Sequence, residues 1–286
     1  MVKLKSFAKI NLNLNVLPKK LAGGLFPVKY INCQIALFDE IQIEKVKNKV
    51  ILTSYHKDLP KWDKNLIYKA VNLLKSESKN KDLGVKISLK KNIPIKAGFG
   101  GGSSNATTVL LAVIKLWNLK ISNQQVLKIA NKLGKEVFYF LKGSVCEVLH
   151  DGSIVNRISS KIPKIWIVAI GPKQKKPSTG YMFKNLKLKE IGKMQYKFNN
   201  LKRAVLNKDK KAIIKNLHND FETFTLMKYP ELSKIKNDLI INGSLNAIMT
   251  GAGLYIVGFF DKKETAKKAY NKLRIKYKSA ILTSTK

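Results

Sequence analysis

The chain is poor in the residues that most often announce a metal site or a cross-linked scaffold. It has 2 cysteines and 3 histidines in 286 residues, and Cys33 and Cys146 stand far apart with no CxxC spacing. A disulfide framework and a zinc array are thereby excluded, which leaves both cysteines as small buried apolar groups. His56, His150 and His218 show no ligand spacing either. No run approaches the ~18 consecutive apolar residues of a membrane span, and Met1-Val2-Lys3-Leu4-Lys5 opens without a signal-peptide core. A soluble, cytoplasmic protein is expected, and hydrophobic residues at 45% can fill a real core in one large or two smaller domains.

Arginine is scarce too. Arg157, Arg203 and Arg274 are the only arginines among 55 basic residues, which face 18 acidic ones for a net charge of +37. Nucleic-acid readers lean on arginine for bidentate contacts to phosphate and guanine, whereas here lysines are spread along the whole chain. No specific nucleic acid and no membrane is expected as a partner. What the charge does supply is a positive field that steers small anionic substrates.

Leu4 to Val16 alternates Ile10, Leu12, Leu14 and Val16 against Lys9, Asn11, Asn13 and Asn15, which predicts a half-buried strand with a polar face. After the break at Lys19 to Pro27, strand-like residues resume from Tyr30 to Ile43. Asp63 to Leu74 reads as a helix, Val85 to Lys91 as a strand, and Ser103 to Trp117 as a helix entered from a glycine loop. Gln124 to Leu133 is a further helix ending at Gly134, and Ser144 to Leu149 returns as a strand. Beyond Pro163 to Ile170, a strand, and the basic loop Pro172 to Pro177, helices dominate from Tyr181 to Asn242. Strands at Ala247 to Met249 and Tyr255 to Phe260 and a helix from Lys263 to Tyr277 close the chain. Two domains are expected, 1–155 and 156–286.

The segment Pro94-Ile95-Lys96-Ala97-Gly98-Phe99-Gly100-Gly101-Gly102-Ser103-Ser104 places four glycines in five positions just before a helix. Glycines let backbone N–H groups approach an anion, and a helix N-terminus adds its unpaired donors and about half a positive charge. Phosphate belongs at such a turn. The spacing is neither GxxxxGK[ST] nor GxGxxG with a later acid. Ser103 and Ser104 are the hydroxyls at hand for phosphate oxygens or a magnesium ion, or for capping the helix.

Pro94 to Thr108, with its GGGSSNAT run, resembles the second signature of the GHMP small-molecule kinases. Ala8-Lys9-Ile10-Asn11-Leu12, Asn219-Asp220-Phe221-Glu222 and Met249-Thr250-Gly251-Ala252-Gly253 resemble three further stretches of that family. Asn65-Leu66-Ile67 and Pro177-Ser178-Thr179 fall where it has similar residues, so the likeness runs from about residue 6 to 275. It implies an α+β, two-domain GHMP-kinase fold: a β-rich, ATP-binding N-terminal domain (ribosomal protein S5 domain 2-like) and a ferredoxin-like C-terminal domain with helices. It also implies ATP and Mg²⁺, a cytidine-diphosphate-linked polyol as phosphoryl acceptor on the non-mevalonate route to isoprenoids, and a monomer or homodimer.

The same resemblance assigns roles. Lys9 and Glu136 are catalytic, Lys9 for the transferring charge and Glu136 as base. Pro94, Ala97, Gly98, Phe99, Gly100, Gly101, Gly102, Ser103, Ser104 and Asn65 face the nucleotide, with Ser103 on the metal. Asn11, Leu25, Phe26, Thr250, Gly251 and Gly253 face the acceptor. Two positions depart from the family pattern. Glu136 stands where an LGADVPFF-like segment carries aspartate, and Gly23-Gly24-Leu25-Phe26 replaces Asp-Gly-Tyr-His, whose last two residues recognise cytosine. A related kinase with another small-alcohol substrate, or a diverged nucleotide-binding pseudoenzyme, remains open on those two positions.

Overall fold

Apolar residues alternating with polar ones, as in Ile10, Leu12, Leu14 and Val16 and again in Ile41 and Ile43, mark two unusually long strands, β1 (Val2–Val16) and β2 (Val28–Lys47). The computed structural model describes residues 1–60, 62–78, 82–174 and 178–286. Contacts divide the chain into two discontinuous units. The first comprises Met1–Ala8, Leu37–Ile95 and Gly100–Lys142, and the second comprises Lys9–Ala36, Lys96–Phe99 and Gly143–Lys286. This division differs from a single cut after residue 155, because each long strand begins in one unit and ends in the other.

In the first unit, β3 (Val50–Thr53) and β4 (Leu83–Lys90) extend the sheet in the order β3-β4-β2-β1. β4 runs antiparallel to β2 from Glu40↔Lys90 to Lys47↔Leu83 and parallel to β3. The expected alternation holds, since Val85, Ile87 and Leu89 are buried together with Ile41 and Ile43. They pack on α1 (Leu66–Ser78), through Ile67, Ala70, Val71 and Leu74, and on α2 (Gly101–Leu116), through Ala106, Val109, Leu110 and Val113. Asp63, expected inside the first helix, lies in a 3₁₀ turn at Trp62–Lys64. α3 (Asn123–Leu133) starts on a capping box in which the Ser122 hydroxyl accepts from Gln125 N, 3.2 Å, and Gln125 Oε1 accepts from Ser122 N, 2.9 Å. Glu136 then opens α4 (Glu136–Lys142), which the sequence pattern did not reveal.

In the second unit, β5 (Val145–Leu149) pairs antiparallel with β2 and with β6 (Ile154–Ser159). β7 (Trp166–Ile170) leads to five helices, α5 (Thr179–Lys184), α6 (Gln195–Leu206), α7 (Lys210–Lys215), α8 (Phe221–Lys228) and α9 (Pro230–Ile241). A short β8 (His218–Asn219) lies before α8 and pairs parallel with β1. β9 (Asn246–Met249), β10 (Ile256–Phe260), α10 (Lys263–Lys276) and β11 (Ile281–Ser284) complete it. The order β11-β7-β10-β9, antiparallel throughout, is the ferredoxin-like arrangement, with α5 to α9 filling its first crossover and α10 its second. Lys175, Lys176 and Pro177 of the basic loop lie outside the described residues. Among the described residues no helix is long and apolar enough to cross a membrane.

One expectation is corrected by the packing. The polar residues of β1 do not face water, because Lys9, Asn11, Asn13 and Asn15 are as buried as the aliphatic residues between them. The second unit supplies polar cover: Asn13 Nδ2 donates to Asn216 O, 3.4 Å, and Asn15 Nδ2 to Asn13 Oδ1, 2.5 Å.

Candidate active site

The buried polar row of β1 meets the turn that joins β9 to β10. Lys9 is only 2% exposed; its backbone N donates to Phe99 O, 3.0 Å, and its Nζ to Asn11 Oδ1, 2.8 Å. Asn11 is itself fixed, donating through Nδ2 to Asn32 Oδ1, 2.8 Å, and through its backbone N to the Thr250 hydroxyl, 3.3 Å. Asn32, an ordinary strand position by pattern, went unnoticed in the sequence. Gly251 stands in the left-handed region at φ +60°, and a Cβ there would lie 3.0 Å from Asn11 Oδ1 and 3.5 Å from Lys9 Nζ. A side chain at Gly251 would therefore crowd Asn11 and press on the ammonium.

Gly253 and Gly98 serve a different end. A Cβ on Gly253 would meet Ala97 C at 2.6 Å and Gly98 N at 2.8 Å, and one on Gly98 would press on Gly253 Cα at 3.2 Å. The two glycine segments thus lie backbone against backbone, so Ala97, Gly98 and Gly253 shape the site by close approach rather than by reaching a ligand with side chains. The Phe99 ring is in the core, edge-on to Tyr255 at 5.1 Å, and Lys96 takes φ +58° in an exposed position.

The stretch quoted as Asn219 to Glu222 holds this turn. Asn219 Nδ2 donates to Met249 O, 2.7 Å, and to Gly251 O, 2.8 Å, while Glu222 Oε1 accepts from Met249 N, 2.6 Å. Asp220 Oδ2 accepts from Val16 N, 2.7 Å, and Gly192 N, 2.9 Å, closing the end of β1.

In the first unit the glycine loop opens α2. Gly100, at φ +69°, is the residue before the helix, so α2 starts at Gly101, two residues earlier than the spacing predicted. Gly101 is required by packing, since a Cβ would lie 2.9 Å from Ile93 Cγ2. Gly102 is not: its nearest neighbour would be Leu66 Cδ1 at 3.8 Å, it carries no positive φ, and it is exposed. A helical glycine with free space around it costs about 1 kcal/mol against alanine.

The serine pair divides. Ser104 is buried, its Oγ donates to Phe7 O, 2.7 Å, and contacts Ser6 Oγ, 2.8 Å, and its N–H is bound to Gly100 O, 2.9 Å. Both its hydroxyl and its N–H are thus bonded within the protein. Ser103 is partly exposed in the first turn. Asn65 caps α1, accepting from Ile67 N, 2.9 Å, and donating to Pro60 O, 2.9 Å, and this capping role accounts for its burial. Pro94 is half-buried ahead of the loop. Glu136 is half-buried at the first position of α4.

Leu25 and Phe26 lie in the second unit, in a loop closed by Leu21 N donating to Leu25 O, 2.8 Å, and Leu17 N to Pro27 O, 2.8 Å. Leu25 is 59% exposed. Phe26 packs against the core of that unit, and Lys20 Nζ sits over its ring, 5.1 Å from the centre.

Comparison with known proteins follows the same division. The family model described as the GHMP kinases N terminal domain matches residues 65–144, and that described as GHMP kinases C terminal matches 201–279. A 4-diphosphocytidyl-2-C-methyl-D-erythritol kinase from Caldicellulosiruptor bescii is 34% identical, over 99% of this chain and 98% of its own. One from Clostridium perfringens is 36% identical, over 97% and 95%. Among solved structures, a 4-(cytidine 5'-diphospho)-2C-methyl-D-erythritol kinase superposes with a TM-score of 0.84 at 24% identity, covering 100% of both chains. The Methanococcus jannaschii mevalonate kinase does so with a TM-score of 0.71 at 16% identity, covering 99% and 98%.

Proposed function

The chain belongs to the GHMP kinase family, and on that premise we propose that it transfers the γ-phosphoryl group of ATP to the 2-hydroxyl of 4-diphosphocytidyl-2-C-methyl-D-erythritol. That reaction is a step of non-mevalonate isoprenoid synthesis. The observation that carries the reading is the buried ammonium of Lys9, oriented by Asn11 beside the glycine turn at Gly251. It is the kind of fixed, desolvated charge that phosphoryl transfer uses.

In the reaction the acceptor oxygen attacks the γ-phosphorus, the bond from that phosphorus to the β,γ-bridging oxygen breaks, and ADP leaves with the electron pair. The hydroxyl proton passes to the Glu136 carboxylate. Lys9 counters the charge on the transferring group, and the first turn of α2, open at Gly102, receives the nucleotide's phosphates on its N–H groups. Among the described residues no cluster of three or more His, Cys, Asp or Glu could hold a metal. Magnesium fits such a site as an ion carried mainly on phosphate oxygens, with the Ser103 hydroxyl as a protein oxygen, and when bound it neutralises phosphate charge. Phe26 offers the base an apolar face.

Release of ADP from ATP, Mg²⁺ and 4-diphosphocytidyl-2-C-methyl-D-erythritol, measured by a coupled assay on the wild type and on Glu136→Ala, tests the reading. Turnover in the wild type that falls by about 10²-fold or more in the variant is expected. A wild type that binds ATP but turns over only other small alcohols would retain the kinase and replace the acceptor. Binding without any turnover would make the chain a pseudoenzyme.

A further inference from the structure

Behind the first turns of α2 lies a buried charged network to which the reaction above gives no role. Lys91, at the end of β4, and Asp39, in β2, form an ion pair whose side chains are 3% and 0% exposed. Asp39 Oδ1 accepts from Asn92 N, 2.7 Å, and Ile93 N, 2.8 Å, the backbone that leads into the glycine loop. Lys91 Nζ also donates to Asn105 Oδ1, 3.1 Å, in α2, and Asn105 Nδ2 donates to Asp39 Oδ2, 2.8 Å, and Ser6 Oγ, 2.9 Å. Ser6 in turn meets Ser104. The chain of bonds joins β4, β2, α2 and β1, all within the first unit.

Two features make this more than a stabilising contact. Replacing a buried ion pair by apolar residues of similar shape is often neutral or stabilising, so stability alone does not call for one here. In addition, the ammonium lies against the helix start, 3.1 Å from where a Cβ on Gly101 would be. A cation beside a helix N-terminus opposes the helix dipole and is tolerated because Asp39 balances it. When the turn receives a polyanion, that opposition becomes attraction.

We infer that Asp39, Lys91 and Asn105 are positioning residues that set the placement and charge of the α2 N-terminal turn for the nucleotide's phosphates. The inference rests on the reading of that turn as the nucleotide site. It applies to ATP and not to the phosphoryl acceptor.

The test is Lys91→Met with Asp39→Asn in the full chain. The amide introduced by Asp39→Asn still offers an oxygen to the Asn92 and Ile93 N–H groups, and the Asn105 amide can turn to present its own oxygen. Expected are a melting temperature close to that of wild type, an ATP dissociation constant raised about tenfold in titration calorimetry without acceptor, and an acceptor KM within about twofold. Ser6→Ala, which cuts only the last link, should weaken ATP binding by about threefold. A folded double variant with unchanged ATP affinity overturns the inference, as does equal weakening toward both substrates. A double variant that does not fold assigns the pair to stability and overturns it too. ATP binding is read without acceptor, so a wild type that binds ATP yet ignores the polyol removes the proposed acceptor and leaves this inference standing. A wild type that does not bind ATP removes both.

Discussion

Lys9 and Lys91 are both buried, and each ammonium lies beside a signature glycine, 3.5 Å from a Cβ built on Gly251 and 3.1 Å from one built on Gly101. Their surroundings differ in kind. Lys91 is enclosed by Asp39 and Asn105. Lys9 is oriented by the Asn11 amide oxygen. Gly101 is also demanded by Ile93, and Gly251 by its positive φ and by Asn11 Oδ1. Burial alone therefore does not tell the two lysines apart; the groups that hold each ammonium do.

The largest effect that would break this comparison is on turnover. Lys9→Met should lower kcat by about 10²- to 10³-fold with ATP affinity changed only a few-fold, as read by single-turnover ADP formation and by calorimetry. Turnover within tenfold of wild type would put Lys9 in the same class as Lys91. The single variant Lys91→Met leaves Asp39 buried without its cation and should cost about 3–5 kcal/mol of unfolding free energy in urea denaturation. An equal loss in Lys9→Met would erase the distinction.

The glycines sharpen the same point at smaller scale. Gly253→Ala forces a Cβ into the Ala97 carbonyl carbon at 2.6 Å and should destabilise by about 1–3 kcal/mol. Gly102→Ala meets nothing nearer than Leu66 at 3.8 Å and should gain up to about 1 kcal/mol from helix propensity. Its cost should appear instead as an ATP KM raised about tenfold, since a methyl group would then stand where phosphates approach. Thermal melts paired with ATP titrations separate the two; a Gly102→Ala chain with wild-type ATP KM would leave that glycine without an explanation.

Much of the architecture was legible. The alternation of Val85, Ile87 and Leu89 and the spacing of Ile67, Ala70, Val71 and Leu74 are local patterns, and they carried over directly into packing. The burial of Lys9 was not legible. A period of two reports that successive residues face opposite ways, and it cannot report that both faces are covered when the cover comes from residues 216 and 250, more than 200 positions away. For the same reason the bonds of Asn219 to Met249 and Gly251 and of Ser104 to Phe7 carry no local signal. The Asp39–Lys91 pair, more than 50 residues apart, had no local signal at all.

The smallest effect concerns the loop at residues 17–27, which contrasts with both lysine sites because it is apolar where they are polar. Phe26 packs on the core of the second unit with Lys20 over its ring, and the ring has neither donor nor acceptor for the edge of a base. A stacking face accepts any base, and selectivity between cytidine and uridine acceptors should accordingly be weak in the wild type. Phe26→His adds one hydrogen-bonding edge to a loop not otherwise built around it, so the ratio of kcat/KM values should move toward cytidine by only about fivefold. The measurement is competition between the cytidine- and uridine-linked polyols in one reaction. A wild type that already prefers cytidine by more than about 100-fold would mean that a polar group other than residue 26 reads the base.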